Sequence, residues 1–160
     1  MTSRLEGWEP KELPGYGIGG GNSMPGLSSP GRLIRELAPV REGTAKVFDS
    51  KSVAGNSLEE FTVVSRDKHS ALLITTKVCY DVNATAGVRI RWLYSQDGVS
   101  FDSPEDAEEA GNYGDLTFAA GATRQGTTLI PLFAPYVKVQ VVNKDPDHPV
   151  VVRVWKTMLR

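Results

Sequence analysis

Residues 88–101 read Val-Arg-Ile-Arg-Trp-Leu-Tyr-Ser-Gln-Asp-Gly-Val-Ser-Phe, a stretch that fits a sheet and little else. Val88, Ile90, Trp92 and Tyr94 alternate with Arg89, Arg91 and Leu93. On a strand, successive side chains point to opposite faces, so this order places the large apolar groups in a core and the arginines outside. Asp97-Gly98 supplies a turn, because glycine takes positive φ without steric cost and aspartate tolerates it. Val99 and Phe101 then read as a return strand.

The same period recurs along the chain. Residues 44–48 form a first strand, and residues 58–65 a second with Phe61 and Val63 on one face. Residues 72–82 align Leu72, Ile74, Thr76, Val78, Tyr80 and Val82 on one side. Residues 115–120, 127–132, 136–142 and 150–157 follow, the last with Val150, Val152 and Val154 inward. Ser103-Pro104-Glu105-Asp106 is a helix start: serine caps, proline suits the first position and the acids suit the positive end of the dipole. Gly111 ends that helix after two turns or so. About eight strands joined by turn-rich links predict an all-β antiparallel sandwich, jelly-roll-like.

Residues 1–43 differ. Pro10, Pro14, Pro25, Pro30 and Pro39 are spread among Gly15, Gly17, Gly19, Gly20, Gly21, Gly26 and Gly31. Proline removes a backbone donor, and glycine raises the entropic cost of order, so this segment cannot build a core of its own. It reads as an extended amino-terminal arm ahead of a sandwich domain at residues 44–160. Residues 32–37 are a short pairing segment within the arm. Trp8, Tyr16, Ile18, Leu33 and Ile34 are its apolar anchors, suited to a partner's pockets.

Bulk properties narrow the function classes. A net charge of -1 gives no electrostatic case for nucleic acid or an anionic membrane. No stretch approaches the ~20 apolar residues of a membrane span. The amino terminus lacks the apolar run of a signal peptide, which predicts a protein made in the host cytoplasm and not exported. Cys79 is the single cysteine, which excludes an internal disulfide and any multi-cysteine metal site. Its neighbours predict a packed strand residue.

Motifs for chemistry are sparse. The glycine run at residues 15–21 lacks the preceding strand and following helix that a phosphate cradle requires. His69 and His148 sit in polar turns and read as exposed loop histidines. The acidic stretch from Asp97 to Asp115 matches no calcium-loop spacing and reads as a solvated loop and helix start. Trp92 and Tyr94 read as core, whereas Tyr113 and Tyr136 are candidates for contact surfaces.

Tyr94-Ser95-Gln96-Asp97-Gly98-Val99-Ser100-Phe101, followed by Ala134-Pro135-Tyr136-Val137-Lys138-Val139, resembles the discoidin-type, galactose-binding-like β-sandwich. There a strand ends in Tyr-Ser-x-Asp-Gly-x-x-aromatic, and a later strand carries Tyr-Val-basic-hydrophobic. The resemblance spans residues 72–157 and implies a fold. The cysteine pair common in secreted members is missing and no ligand-contact residue matches, so it implies no glycan or lipid site. Sandwiches of this look also serve as tail, decoration and adhesion modules of bacteriophage and archaeal virus particles.

The expectation is therefore a non-enzymatic structural protein of a virus particle: a capsid decoration, neck or tail subunit. It self-assembles through its arm, with copies of itself and other virion proteins as partners, and localises to the virion. No cofactor, metal, nucleic acid or membrane enters this reading. The alternative is a carbohydrate-binding or adhesion module, which predicts an exposed aromatic platform or calcium dependence.

Overall fold

The computed structural model describes residues 39–160. The expected arm anchors Trp8, Tyr16, Ile18, Leu33 and Ile34, and the pairing segment 32–37, lie outside the described residues. Within the unit Val40–Arg160 the chain forms β1 (Arg41–Val53), β2 (Ser57–Val64), β3 (Ala71–Cys79) and β4 (Val88–Ser95). A short helix α1 (Pro104–Glu109) precedes β5 (Tyr113–Asp115), β6 (Thr123–Pro131), β7 (Tyr136–Asn143) and β8 (Val150–Leu159).

The strands make two antiparallel four-stranded sheets, ordered β1-β8-β3-β6 and β2-β7-β4-β5. Pairs β1·β8, β2·β7, β3·β6 and β4·β5 run the first half of the chain antiparallel to the second, as one long ribbon. Pairs β3·β8 and β4·β7 fold that ribbon over into two layers. This is the wrapping of a jelly roll, and the all-β sandwich expected from the alternation is present.

Alternation explains which side chains fill the space between the sheets. Leu72, Ile74 and Val78 from β3 and Val150, Val152 and Val154 from β8 face Val88, Ile90 and Trp92 from β4 and Val137, Val139 and Val141 from β7. All ten are buried. Each such aliphatic side chain contributes roughly 1.5–3 kcal/mol on burial, so the inner rows supply most of the drive to fold.

Several boundaries differ from the sequence expectation, each for a local reason. β1 starts at Arg41, ahead of residue 44, because Val40 and Arg160 exchange backbone hydrogen bonds. Glu42 is also held at that end by Lys68, His69 and Arg160. β3 stops at Cys79: Tyr80 N–H turns to Ala122 O, and Asp81 Oδ1 accepts from Asn83 N–H, which bends the chain away. Val82, expected inward, is therefore exposed.

Residues 99–101 do not form a return strand. Asp97 Oδ1 accepts from the N–H groups of both Val99 and Ser100 at 2.8 Å, which removes donors that a strand ladder would need. Residues 116–120 leave the sheet after the three-residue β5. β6 begins earlier than expected, at Thr123, and runs through Gly126, where a Cβ would come within 2.9 Å of Leu116 Cδ2. The helix forms as expected: Ser103 accepts from Asp106 N–H, Pro104 opens the first turn, and Gly111 at φ +81° follows the end.

Candidate functional site

The two sheets present outer faces of different chemistry. On the β2-β7-β4-β5 face the outward arginines of β4 are consumed by neighbours. Arg91 Nε donates to Gln140 Oε1 at 2.8 Å and its Nη1 to Glu108 Oε2 at 2.7 Å. Gln140 Nε2 continues to Glu60 Oε1 at 2.9 Å. Arg89 forks onto Asp115 at 2.7 and 2.9 Å, and its guanidinium lies 4.0 Å from the centroid of the Tyr113 ring. Leu93, also outward, is buried, and α1 packs on β4. The Arg89 hydrogen bond holds the Asp115 carboxyl below the usual range, and the Arg91 hydrogen bond does the same for Glu108. Acids held ionised in this way cannot deliver a proton near neutral pH. The face is a closed charge network.

At the end of β4, the residues that carry the discoidin-type resemblance form one local unit. Tyr94 pairs with Val137 and Ser95 with Tyr136 across the sheet. Gly98 lies at φ +76° over the Tyr136 ring, which a Cβ would approach to 3.1 Å. The backbone donors of Ser100 and Val99, with the Ser95 hydroxyl, hold the Asp97 carboxyl down at about 2. Its Oδ1 carries these three contacts, so Asp97 closes a turn. Among the described residues no three metal-ligating side chains converge.

The opposite end holds a second polar hub. Asn143 Nδ2 donates to the carbonyls of Val53, Ala54 and His148. Its Oδ1 accepts from Asp145 N–H at 3.0 Å. Burial raises the pKa of the enclosed Asp145 carboxyl, but donors from Thr85, Asp147 and His148 outweigh that and hold it well below the usual range. His148 Nδ1 lies 3.0 Å from Asp145 Oδ1. His69 is likewise engaged, its Nε2 3.1 Å from Glu42 Oε1 with only 6% of the side chain exposed. The expectation of an exposed loop histidine is thus corrected for His69, which braces its turn to β1, whereas His148 stays half-exposed, its ring contacting Asp145 within its own turn.

Among the described residues the β1-β8-β3-β6 face is open, and it is the candidate site. Register sets its rows. Across β1, β8, β3 and β6, one row is Thr44, Thr157, Leu73 and Leu129. The next is Lys46, Trp155, Thr75 and Thr127. Beyond it Arg153, Lys77 and Gln125 align, then Val151, Cys79 and Thr123. A groove of about 370 Å³ runs over the first rows around Trp155, and a second of about 500 Å³ over the last. Thr44 and Thr157 hydroxyls pair at 2.8 Å, and Thr75 and Thr127 at 2.9 Å. Cys79 faces this groove and is exposed, correcting the packed position expected for it. Its parity on β3, opposite to that of buried Val78, is the reason.

Trp155 was not singled out by the residue patterns, although the signal was there. Val150, Val152 and Val154 inward require Trp155 to point outward, where a large aromatic has no core to fill. Tyr94 and Trp92 are inward as expected, with the Tyr94 hydroxyl donating to Pro131 O. Compared with known proteins, the sequence matches no family model and no curated protein.

Proposed function

We propose that this chain is a non-enzymatic structural subunit of a virus particle, a capsid decoration, neck or tail protein. In this reading it is made in the host cytoplasm and takes its place in the virion. It self-assembles through residues 1–43, with copies of itself and other virion proteins as partners. The observation that carries the reading is the strand order β1-β8-β3-β6 and β2-β7-β4-β5, an eight-stranded jelly roll, an architecture used by viral capsid domains. Two features add support. Loop residues Asn143, Asp145 and His69 brace the frame through contacts to Val53, Thr85 and Glu42, as a building block requires. The proline- and glycine-rich residues 1–43 suit an extended connector that adds main-chain hydrogen bonds to a neighbour and anchors through Trp8, Tyr16, Ile18, Leu33 and Ile34.

Light scattering tests the proposal on the full chain, on residues 40–160, and on the full chain carrying Trp8→Ala and Tyr16→Ala. A defined oligomer that falls to monomer on truncation, and weakens in the double variant, is the expected result. A monomeric full chain, or an oligomer indifferent to both changes, overturns assembly through the arm.

A further inference from the structure

We infer that the open face of the β1-β8-β3-β6 sheet binds an acidic oligosaccharide, with Trp155 as the platform. This goes beyond the assembly reading and stands on different residues. Three observations converge on the chemistry.

The first is the indole itself. Trp155 sits outward on β8, an interior strand, with Lys46 and Thr75 as its cross-strand neighbours and Thr127 beyond. Its cross-strand neighbours are a hydroxyl and an ammonium, the latter paired with Asp49, and among the described residues Leu73 is the one other apolar side chain lining the groove, so core packing does not account for it. An aromatic ring takes the C–H face of a sugar ring, because one surface is apolar and the other carries weakly positive hydrogens.

The second is the hydroxyl array. In each pair, Thr44 with Thr157 and Thr75 with Thr127, one hydroxyl donates to the other. A hydroxyl carries one proton and two lone pairs. The accepting partner therefore keeps its own proton for an outside acceptor, and lone pairs remain on both. Sugar hydroxyls need donors and acceptors together, and these pairs offer both. Gln125 adds an amide with the same dual capacity to the groove.

The third is charge. The chain as a whole carries a net charge of -1, yet among the described residues no carboxylate lines the groove around Trp155, and Arg41 does. Lys77 lies two residues from Thr75 along β3, in the adjoining groove. Neither cation has a carboxylate partner among the described residues, whereas Arg89, Arg91 and Lys138 on the opposite sheet all do. From Leu73 to Lys77 is about 13 Å along the strand at the usual rise, room for a short oligosaccharide bearing a carboxylate or sulfate. One aromatic among hydroxyls favours a glycan over a single-stranded nucleic acid, which needs stacking platforms in series.

The test is calorimetric titration of the full chain with a sulfated heparin-derived hexasaccharide, a sialylated trisaccharide, a neutral maltohexaose and a dT oligonucleotide. Thermal melting and light scattering of each variant run alongside. The expected result is binding of the sulfated or the sialylated probe over maltohexaose, weakened by added salt, and which of the two binds identifies the anionic group. Trp155→Ala should weaken binding by about 10-fold, and Thr75→Val with Thr127→Val should weaken it without moving the melting point. Lys77→Gln should cost about 3-fold on the acidic probe alone. The inference is overturned by no glycan binding from a folded chain, by equal binding of neutral and acidic probes, or by an unaltered Trp155→Ala. It is also overturned if the oligonucleotide binds best. Dissociation of an oligomer by Trp155→Ala with glycan binding unchanged would instead make this face a contact between copies.

Discussion

Trp92 shows how much one side chain carries in this sandwich. The ring is 7% exposed among the inner rows of both sheets, and its Nε1 has no hydrogen-bond partner among the described residues. Its contribution is therefore packing. Trp92→Ala should cost ~3–5 kcal/mol in urea unfolding, while Trp92→Phe, which removes the unpaired N–H, should cost much less. Asp97 carries the acid response of its turn. Its folded pKa of about 2 lies below its ordinary 3.8, so its stabilisation is complete above 3.8 and is lost as pH falls through about 2. Asp97→Asn should flatten that part of the stability profile between pH 4 and 2. Cys79 gives a direct check on strand parity: a thiol reagent should label it fully in the native protein, because it faces the groove.

At the scale of elements, the alternation of residues 88–95 and 136–143 passed directly into β4 and β7, because each strand's inner residues have nowhere else to go. The capping residues of α1 were equally legible. Ser103→Ala should cost about 1 kcal/mol and speed amide exchange at residues 106–110, since Ser103 Oγ accepts from Asp106 N–H. Strand ends were less legible. Whether residues 99–101 pair or loop depends on where the Asp97 carboxylate sends its lone pairs, and an alternating pattern contains no such information. The extension of β1 to Arg41 likewise depends on Arg160, distant in the chain but adjacent in the sheet.

The whole molecule adds what neither residues nor strands hold. Long-range pairing of β1 with β8 closes one sheet, so the two ends of the unit Val40–Arg160 meet in a single ladder. Residues 40–160 should accordingly unfold in one cooperative transition, with circular dichroism and tryptophan fluorescence reporting the same midpoint. A truncation beginning at residue 44 would remove Arg41 and Glu42 from the first strand, and should melt at a lower temperature than one beginning at residue 40.

By itself, the order of residues determined the fold class, the inward rows and the capped helix, because a period of two and a capping serine act within a few residues. Tertiary structure decided the rest. It chose the strand order, turned His69 into a brace, and left one outer face satisfied and the other open among the described residues. Those outcomes rest on partners such as Arg91 with Glu108 and Trp155 with Thr75. Such pairs are set by how two sheets wrap, and no local pattern can specify them.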